Sequence, residues 1–452
     1  MNLITAIPGF IALLVCIRRG PERALIDVYL PTLLLLPDSY HWMITGHLSF
    51  NQTAIIPIGG FLIVRSWRNW QWSFLDLLVA SYVAMSVTSE FVNIDFYSAR
   101  NVALQSICNS ILPYVVAKGI LPREDLYASI AKRIVVCLAI VAIVSVYEFR
   151  MGRNPFDMIL APLFPGQYSA VWVARYGFLR PAGPYGHAIL AGLMFAVGYR
   201  LTRWLEWGGH WSGTLSILPL SKVRFCQFCL IAGSVMTLSR GPWLAAGIAA
   251  LVVGLGRARN RRRAIVMTAL VILVVGIPLF QMTRSYIWVE RDQATSEMEE
   301  TAAYRHELIE KYIAIVEERP VWGWGRNNFP TVDGMRSVDN HFLLLALTYG
   351  EFVLALFVVM ILWEMARLTR FCASHHGAFF PGSIALTFLG IYFVIVVSIG
   401  TVWLGLQTVQ LFFLILGWSE GLILTPGLKA IVGGRVSAEL ANTKFLRVIA
   451  IA

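Results

Sequence analysis

The sequence predicts an all-α protein that crosses a membrane many times. Of its 452 residues, 57% are hydrophobic and only 14% are charged, and the mean hydropathy is +0.66. Soluble proteins carry about 25% charged residues, so a chain of this composition belongs in a lipid bilayer. Because a spanning helix needs about 20 mostly apolar residues, the chain has room for roughly 12 to 14 of them. It shows no sustained strand alternation and no internal repeat.

The apolar stretches divide the chain into four parts. We expect N-terminal transmembrane helices in residues 1–283, one large loop in 284–340, C-terminal transmembrane helices in 341–424 and a tail in 425–452. The first run has no basic segment before it and no small-residue cleavage site, which favours a retained helix over a cleaved signal peptide. The predicted apolar spans are 3–17, 24–37, 53–65, 73–88, 99–118, 127–147, 186–204, 223–239, 242–256, 263–283, 341–367, 378–399 and 402–424.

Basic loops set the predicted orientation. Residues 256–263 form the strongest basic cluster, and clusters of this kind mark the cytoplasmic side of a membrane protein. The other basic clusters and the tail then fall on the same side. The net charge of +11 lies mostly in these short loops, where it meets anionic membrane lipids rather than nucleic acid. The opposite, outer face receives residues 148–185, 239–241 and 284–340.

The outer loop at 284–340 is predicted to contain one amphipathic helix. Residues 296–299, Ser-Glu-Met-Glu, fit a capping box at its start. Apolar residues then follow at helical spacing up to Pro320, and this stripe is predicted to lie on the membrane domain or the bilayer surface. The stripe consists of Tyr304, Leu308, Tyr312 and Ile315. A Gly/Trp/Asn turn at 322–329 brings the chain back to the membrane.

His341 is the candidate general base. It opens a helix directly after the outer loop. An imidazole with an ordinary pKa of about 6.5 can take a proton from a substrate hydroxyl, and the helix N-terminus keeps the ring neutral. Asp339 can orient the ring or can serve only as the helix cap, as Asn340 also can. The plain alternative is an interfacial histidine that has no catalytic role.

Three arginines are the candidate diphosphate ligands. Arg180 and Arg240 lie in Pro/Gly turns between apolar helices, and Arg305 lies on the predicted loop helix. An arginine beside a span usually extends only its charged tip to the membrane surface. If these arginines served only as such anchors, we would expect them mainly on the cytoplasmic side, whereas they fall on the predicted outer side, which is poor in arginine. Guanidinium groups bind phosphate oxygens through paired hydrogen bonds, and a diphosphate suits two of them. For Arg305, a solvated helix face near Glu307 or Glu310 is an equal alternative.

Other site types have little support in the sequence. The outer face carries no spaced acidic pair and no His/Cys cluster, so we predict neither a metal site nor a cofactor. No nucleotide-binding glycine pattern is present. Cys226 and Cys229 have the spacing of a redox motif, but they lie at the start of an apolar helix and no second pair follows.

The order of these segments resembles the O-antigen ligase and polymerase family of bacterial envelope proteins. The family pattern has an outer-face Arg-Pro-x-Gly segment, a Ser-Arg-Gly turn, a large loop with a helical arginine and a Pro-x-x-Gly-x-Gly-x-x-x-Phe stretch, and a histidine that opens the next helix. The matching residues are Arg180 to Gly183, Ser239 to Gly241, Arg305, Pro320 to Phe329, His341 and Gly350. The resemblance covers about residues 180–352, and Asn340 precedes His341 where the family often has Asn after the histidine.

The resemblance implies a GT-C-like, metal-independent, inverting glycosyltransferase of the bacterial inner membrane with its site on the periplasmic side. Its donor would be an undecaprenyl-diphosphate-linked oligosaccharide. Its acceptor would be a hydroxyl of a second lipid-linked glycan in a polymerase, or of lipid A-core in a ligase, and a chain-length regulator is a further partner to expect. By this analogy His341 deprotonates the acceptor, while Arg180 and Arg240 hold the diphosphate. Of the two, we favour a polymerase of O-antigen or exopolysaccharide.

A lipid-linked glycan transporter, or flippase, is the competing class. It would need ionisable residues or broken helices near the middle of the bilayer, usually with an internal repeat. The predicted spans hold few charges, and Asp76 and Glu364 lie near presumed helix ends. An assembly subunit would need no arginines opposite a histidine.

Overall fold

The computed structural model describes the chain in twelve stretches. They are residues 3–42, 48–66, 70–121, 124–167, 173–215, 219–258, 260–271, 273–274, 297–326, 328–335, 337–374 and 383–424. Predictions that concern Ser296, residues 275–295 and the tail at 425–452 lie outside the described residues.

Within these stretches the protein is almost entirely helical, and the predicted all-α class is confirmed. Two short antiparallel hairpins pair β1 (His41–Trp42) with β2 (Leu48–Ser49) and β3 (Ala174–Arg175) with β4 (Phe178–Leu179). The helices are α1 Ile7–Arg19, α2 Pro21–Ala24, α3 Leu30–Leu35, α4 Phe50–Ser66, α5 Phe74–Asn93, α6 Phe96–Ser106, α7 Leu112–Ile120, α8 Glu124–Met151, α9 Pro155–Leu160, α10 Ala188–Trp207, α11 Lys222–Met236, α12 Arg240–Arg257, α13 Arg261–Val271, α14 Glu297–Glu318, α15 His341–Tyr349, α16 Glu351–Ser374, α17 Ile384–Ile399 and α18 Gln407–Leu424.

The helices agree with a polytopic membrane protein. Every predicted apolar span overlaps a helix. Among the described residues, four helical segments are long and apolar enough to cross a membrane: Phe74–Asn93, Asp125–Met151, Glu351–Ala373 and Gln407–Leu424. Ile384–Ile399 is a shorter apolar helix. The predicted total of crossings stays a prediction.

Of the four long apolar helices among the described residues, α18 is the most deeply buried. This helix lies against α7, where the Gly417 backbone comes so near that an added Cβ would meet the Tyr114 carbonyl oxygen at 2.1 Å. Trp418, on the same helix, is fully buried and packs edge-on against Phe388. Elsewhere α12 packs on α17, and α10 packs on α8 and α11. These contacts fix the helix ends that carry the site.

The predicted span at 341–367 is not one helix. It breaks at Gly350, which separates the nine-residue α15 from α16. Gly350 has a φ of 91°, a conformation that glycine adopts without the steric cost of a side chain. The apolar run continues through the break, so hydropathy alone predicted a single helix. The break leaves His341 at the start of a short helix rather than of a full crossing.

The loop from Pro320 to Arg326 packs on this break, backbone against backbone. The N–H groups of Trp324 and Gly325 donate to the carbonyls of Leu347 and Thr348, each at 2.9 Å. A Cβ added at Gly350 would lie 2.2 Å from the Val321 carbonyl oxygen, and one added at Gly323 would lie 2.7 Å from the Leu347 carbonyl oxygen. The spaced glycines of this stretch are therefore needed for close approach.

Gly350→Ala should weaken this contact. The new methyl group meets backbone, which cannot rotate away, and alanine strains the positive φ, so we expect a loss of about 1–3 kcal/mol. The melting temperature of the detergent-purified protein should fall by several degrees. Gly247→Ala in α12 is the control, because an added Cβ there has nothing within 4 Å. Equal melting temperatures for both variants would show that the glycine is not required.

The amphipathic helix predicted in the outer loop is confirmed as α14. Its stripe of Leu308, Tyr312 and Val316 is buried against α15 and the end of the loop. The Tyr304 hydroxyl donates to the Ser337 carbonyl at 2.7 Å. The stripe thus joins the loop to the helix that begins at His341.

Candidate functional site

A buried glutamate at the end of α8 holds the Arg-Pro-Ala-Gly segment. The Glu148 carboxylate accepts hydrogen bonds from the N–H groups of Ala182 and Gly183, both at 3.0 Å. Asn154 donates to the Gly183 carbonyl at 2.8 Å. Gly183 has a φ of 56°, which lets the chain turn after Arg180. Glu148 therefore fixes the backbone that presents Arg180.

Arg180 contacts the Ser-Arg-Gly turn rather than open space. Its Nε donates to the Thr237 carbonyl at 2.9 Å, and a terminal nitrogen donates to the Ser239 hydroxyl at 2.7 Å. Arg175 donates to the next carbonyl, that of Leu238, at 2.8 Å. Leu238 has a φ of 48°, which is uncommon for a side chain of this kind. Two arginines thus hold the strained turn that places Arg240 at the start of α12.

Four arginines and Asp339 form one electrostatic group, which we call the arginine cluster: Arg175, Arg180, Arg240, Arg305 and Asp339. Burial, with the charges of Arg175 and Arg305, lowers the pKa of Arg180 to about 10, and Asp339 opposes the shift. Burial also lowers the pKa of Arg305, where Asp339 acts upward and Arg175 and Arg240 act downward. Four positive charges near one carboxylate leave an excess that an anion would neutralise.

Two members of the arginine cluster keep their donors free. Arg240 is exposed and Arg305 is half-buried, and neither makes a hydrogen bond or ion pair to any described residue. Arg180, by contrast, uses two of its nitrogens on the turn. The free donors suited to a ligand are thus those of Arg240 and Arg305.

His341 is buried at the N-terminus of α15. Asn340 caps this helix and accepts from the N–H groups of Phe342 at 3.0 Å and Leu343 at 3.3 Å. The Asp339 carboxylate accepts instead from the Ser337 hydroxyl at 2.8 Å. No hydrogen bond joins Asp339 to the imidazole in the part of the chain that the structure describes. The His341 Nδ1 is buried without a partner, and the ring packs edge-on against Phe357.

His341 lines a cavity of about 730 Å³. The walls carry carboxylate, amide and hydroxyl groups, together with Phe357, Phe413 and Trp403. Among the described residues, Arg326 is the one arginine of the lining; its side chain donates to Gln105 at 2.5 Å and its backbone N–H donates to Glu90 at 2.8 Å. The members of the arginine cluster are not among the lining residues, although Asp339 is two positions from His341. The cavity and the cluster are therefore adjacent and chemically distinct.

The C-terminal end of α5 holds the Trp-Gly loop that carries Arg326. Ser89 and Asn93 donate to the Trp322 carbonyl at 2.5 and 2.8 Å. On another side of the site, Gln407 donates to the carbonyls of Leu36 at 2.9 Å and Pro184 at 2.7 Å. These long-range bonds fix the loops around the cavity as one assembly.

The structure brings Arg180, Arg240 and Arg305 together with Asp339. Sequence reasoning missed Arg175, Glu148 and Arg326. Arg175 had the same signal as Arg180, since it is a basic residue in an outer, arginine-poor segment. Glu148 and Arg326 carried no such signal, because their roles arise from contacts between distant segments. Among the described residues, no group of three His, Cys, Asp or Glu side chains is placed to hold a metal ion.

The O-antigen ligase family matches residues 225–358, which is less than half of the chain. The matched region contains the Ser-Arg-Gly turn, α14, the Trp-Gly loop and His341. No curated protein shows a significant match. With the apolar helices, the family match supports a membrane protein with an O-antigen ligase or polymerase type of activity on lipid-linked glycans. Residues 225–358, which carry the Ser-Arg-Gly turn and His341, are thus similar to the O-antigen ligase family, and this similarity supports a relation of the chain to O-antigen ligases and polymerases.

Proposed function

We propose that the protein transfers a glycan from undecaprenyl diphosphate to an acceptor sugar hydroxyl at the periplasmic face of the bacterial inner membrane. The observation that carries this proposal is the arginine cluster, with two uncommitted guanidinium groups, beside the cavity that His341 lines. A cationic site next to a neutral base fits a reaction in which an anion leaves and a hydroxyl attacks.

The donor diphosphate binds Arg240 and Arg305 in this proposal. Both have free donors, and bidentate contact with phosphate oxygens stabilises the negative charge that grows as the bond to the sugar breaks. Arg180 adds its charge and, with Arg175, holds the turn that positions Arg240. Before the donor diphosphate binds, the Asp339 carboxylate offsets part of the positive charge of the arginine cluster. The role of the protein is to fix these charges before the substrate arrives.

His341 takes the proton from the acceptor hydroxyl. The acceptor oxygen forms a bond to the anomeric carbon of the donor, while the bond from that carbon to the diphosphate oxygen breaks. Its electron pair stays with the diphosphate, and the hydroxyl proton goes to the imidazole. One displacement of this kind inverts the anomeric configuration. It needs no nucleotide, because the donor is already activated by the lipid diphosphate, and the guanidinium groups of the arginine cluster stabilise the leaving diphosphate in place of a metal ion.

Polymerisation of O-antigen or exopolysaccharide is the first candidate, and ligation to lipid A-core is the second. The description of the matched family, O-antigen ligase, favours the second. A deletion strain separates them on a gel. Loss of a polymerase leaves single repeat units on the surface, whereas loss of a ligase leaves long glycan on the lipid carrier and none on lipid A-core. Normal surface glycan in the deletion strain would contradict both.

A glycan transporter remains the alternative from another class. Its best sequence support was charge within the membrane, at Asp76 and Glu364. In the structure Asp76 pairs with Lys118 at 2.6 Å, and Glu364 lies 3.7 Å from Arg367, which also pairs with Glu420. Asp76 thus has a close partner, which favours a structural role for it, whereas the buried Glu364 has only the longer contact with Arg367.

A further inference from the structure

The cavity next to His341 contains a rigid pair of polar groups, formed by Asp38 and Asn109. Both residues line the cavity. Asp38 lies in the connection after α3, and Asn109 lies in the π-helical turn Ile107–Ile111 between α6 and α7. The two are therefore brought together from distant parts of the chain.

One oxygen of Asp38 is fully used in holding the group in place. Oδ1 accepts from the Ser49 hydroxyl, from Asn51 at 3.2 Å and from Gln410 at 3.5 Å. The other oxygen, Oδ2, has no hydrogen-bond partner among the described residues and is not enclosed, so it faces the cavity. Burial raises the pKa of the Asp38 carboxyl, and its three hydrogen bonds oppose that shift.

In the Asn109 side-chain amide, as in the Asp38 carboxylate, one polar atom is held by hydrogen bonds and the other is free. Its carbonyl oxygen accepts from Gln52 at 3.0 Å and from Gln410 at 3.1 Å. Its Nδ2 donates to no described residue and is not enclosed. Gln410 is fixed in turn by the Tyr29 hydroxyl at 3.1 Å, and Gln52 accepts from the Ser49 N–H at 3.0 Å. The supporting amides thus use both of their ends to orient Asp38 and Asn109.

An unused acceptor beside an unused donor, both immobilised, suits a sugar. Each hydroxyl of a sugar can donate one hydrogen bond and accept others, and a buried site that satisfies both discriminates strongly in favour of such a ligand. The apolar faces of sugar rings suit the aromatic side chains of the same walls. An apolar lipid tail or a bare phosphate would leave one of the two polar groups unsatisfied.

We propose that Asp38 and Asn109 bind the acceptor sugar and hold its hydroxyl toward His341. This inference rests on the proposed function. The acceptor, rather than the donor, is assigned here because the arginine cluster lies outside the cavity, whereas the base lines it. The hydroxyl that loses its proton must approach from the side of the base.

The test measures sugar binding separately from transfer. The probe is an oligosaccharide mixture released by mild acid from the surface polysaccharide of the host bacterium, titrated against the full protein in lipid nanodiscs. Asp38→Asn removes a charged acceptor without changing shape, and Asn109→Leu removes the donor. Loss of one hydrogen bond to a charged group weakens binding about tenfold to a hundredfold. We expect a loss in that range for Asp38→Asn and a smaller one for Asn109→Leu.

The matched control is Asp95→Asn, an exposed cap of α6 whose carboxylate accepts from the Ser98 N–H at 2.6 Å. Asparagine also caps helices well, so this variant should bind like the wild type. Unchanged binding in Asp38→Asn and Asn109→Leu would overturn the inference. So would a rise in the KM for the lipid-linked donor with an unchanged KM for the acceptor. Should the wild type bind sugar yet transfer none, the proposed function fails while the sugar site stands.

Discussion

His341→Ala should abolish glycan transfer while the protein still inserts into the membrane. Removing a general base typically lowers a rate by ~10²–10⁴-fold. The fold should tolerate the change, because Asn340 caps α15 and the imidazole Nδ1 has no partner to lose. The measurement compares surface polysaccharide on a gel, and expression by immunoblot, in a deletion strain that carries the variant.

A second histidine of the outer loop serves as the control for this variant. His306 lies on α14 and contacts Glu310 at 3.6 Å, away from the cavity lining. His306→Ala should therefore leave the polymer unchanged. Burial lowers the pKa of the His341 imidazole, so the ring should stay neutral, and transfer by the wild type should persist, at pH values well below those at which a solvated histidine becomes protonated. Normal polymer in a well-expressed His341→Ala strain would show that His341 has no catalytic role.

Arg240→Lys should lose most of the activity with normal expression. Lysine keeps the positive charge but loses the planar pair of donors that fits a phosphate, and a hydrogen bond to a charged group contributes about 1.5–3 kcal/mol. We therefore expect kcat/KM to drop about tenfold to a hundredfold. Stability should not change, because the Arg240 side chain has no partner among the described residues.

Arg262→Lys is the matched control. Arg262 is an exposed arginine of α13, the helix that follows α12, whereas Arg240 lies at the start of α12. The same conservative change there should leave kcat/KM as it is. Full activity in Arg240→Lys would mean that Arg240 is only an anchor at the membrane surface. Loss of activity in both variants would point to a general effect of charge rather than to the cluster.

Local patterns predicted the helices and the arginine turns well. The apolar runs predicted the spans because a helix in a membrane protein either buries apolar side chains or presents them to lipid. The helical spacing of apolar residues from Tyr304 to Ile315 predicted α14. The break at Gly350 escaped hydropathy, because it depends on a backbone contact with Val321 from another segment. For the same reason the sequence suggested Asp339 as an orienting group for His341, whereas its hydrogen bond goes to Ser337.

The polar walls of the cavity lay beyond local reasoning altogether. Asp38 and Asn109 lie in the first quarter of the chain and Gln410 lies near its C-terminal end, and each taken alone looks like an isolated polar residue in or beside an apolar span. Their candidate role in binding is visible only in the folded structure, where the hydrogen-bond network leaves one atom of Asp38 and one of Asn109 open to the cavity. The motif-bearing region at 225–358 therefore describes only part of the site.

Transfer by the purified protein in sealed liposomes tests directly whether it moves a glycan from the lipid diphosphate to an acceptor hydroxyl. The donor is lipid-linked glycan labelled in its sugar, in buffer with EDTA and without nucleotides, with lipid-linked repeat units or lipid A-core as acceptor. We expect label on the acceptor, free lipid diphosphate released in equal amount, and inversion at the anomeric carbon. Labelled donor that reaches the opposite leaflet with its glycan still on the lipid diphosphate would contradict this expectation and identify a transporter.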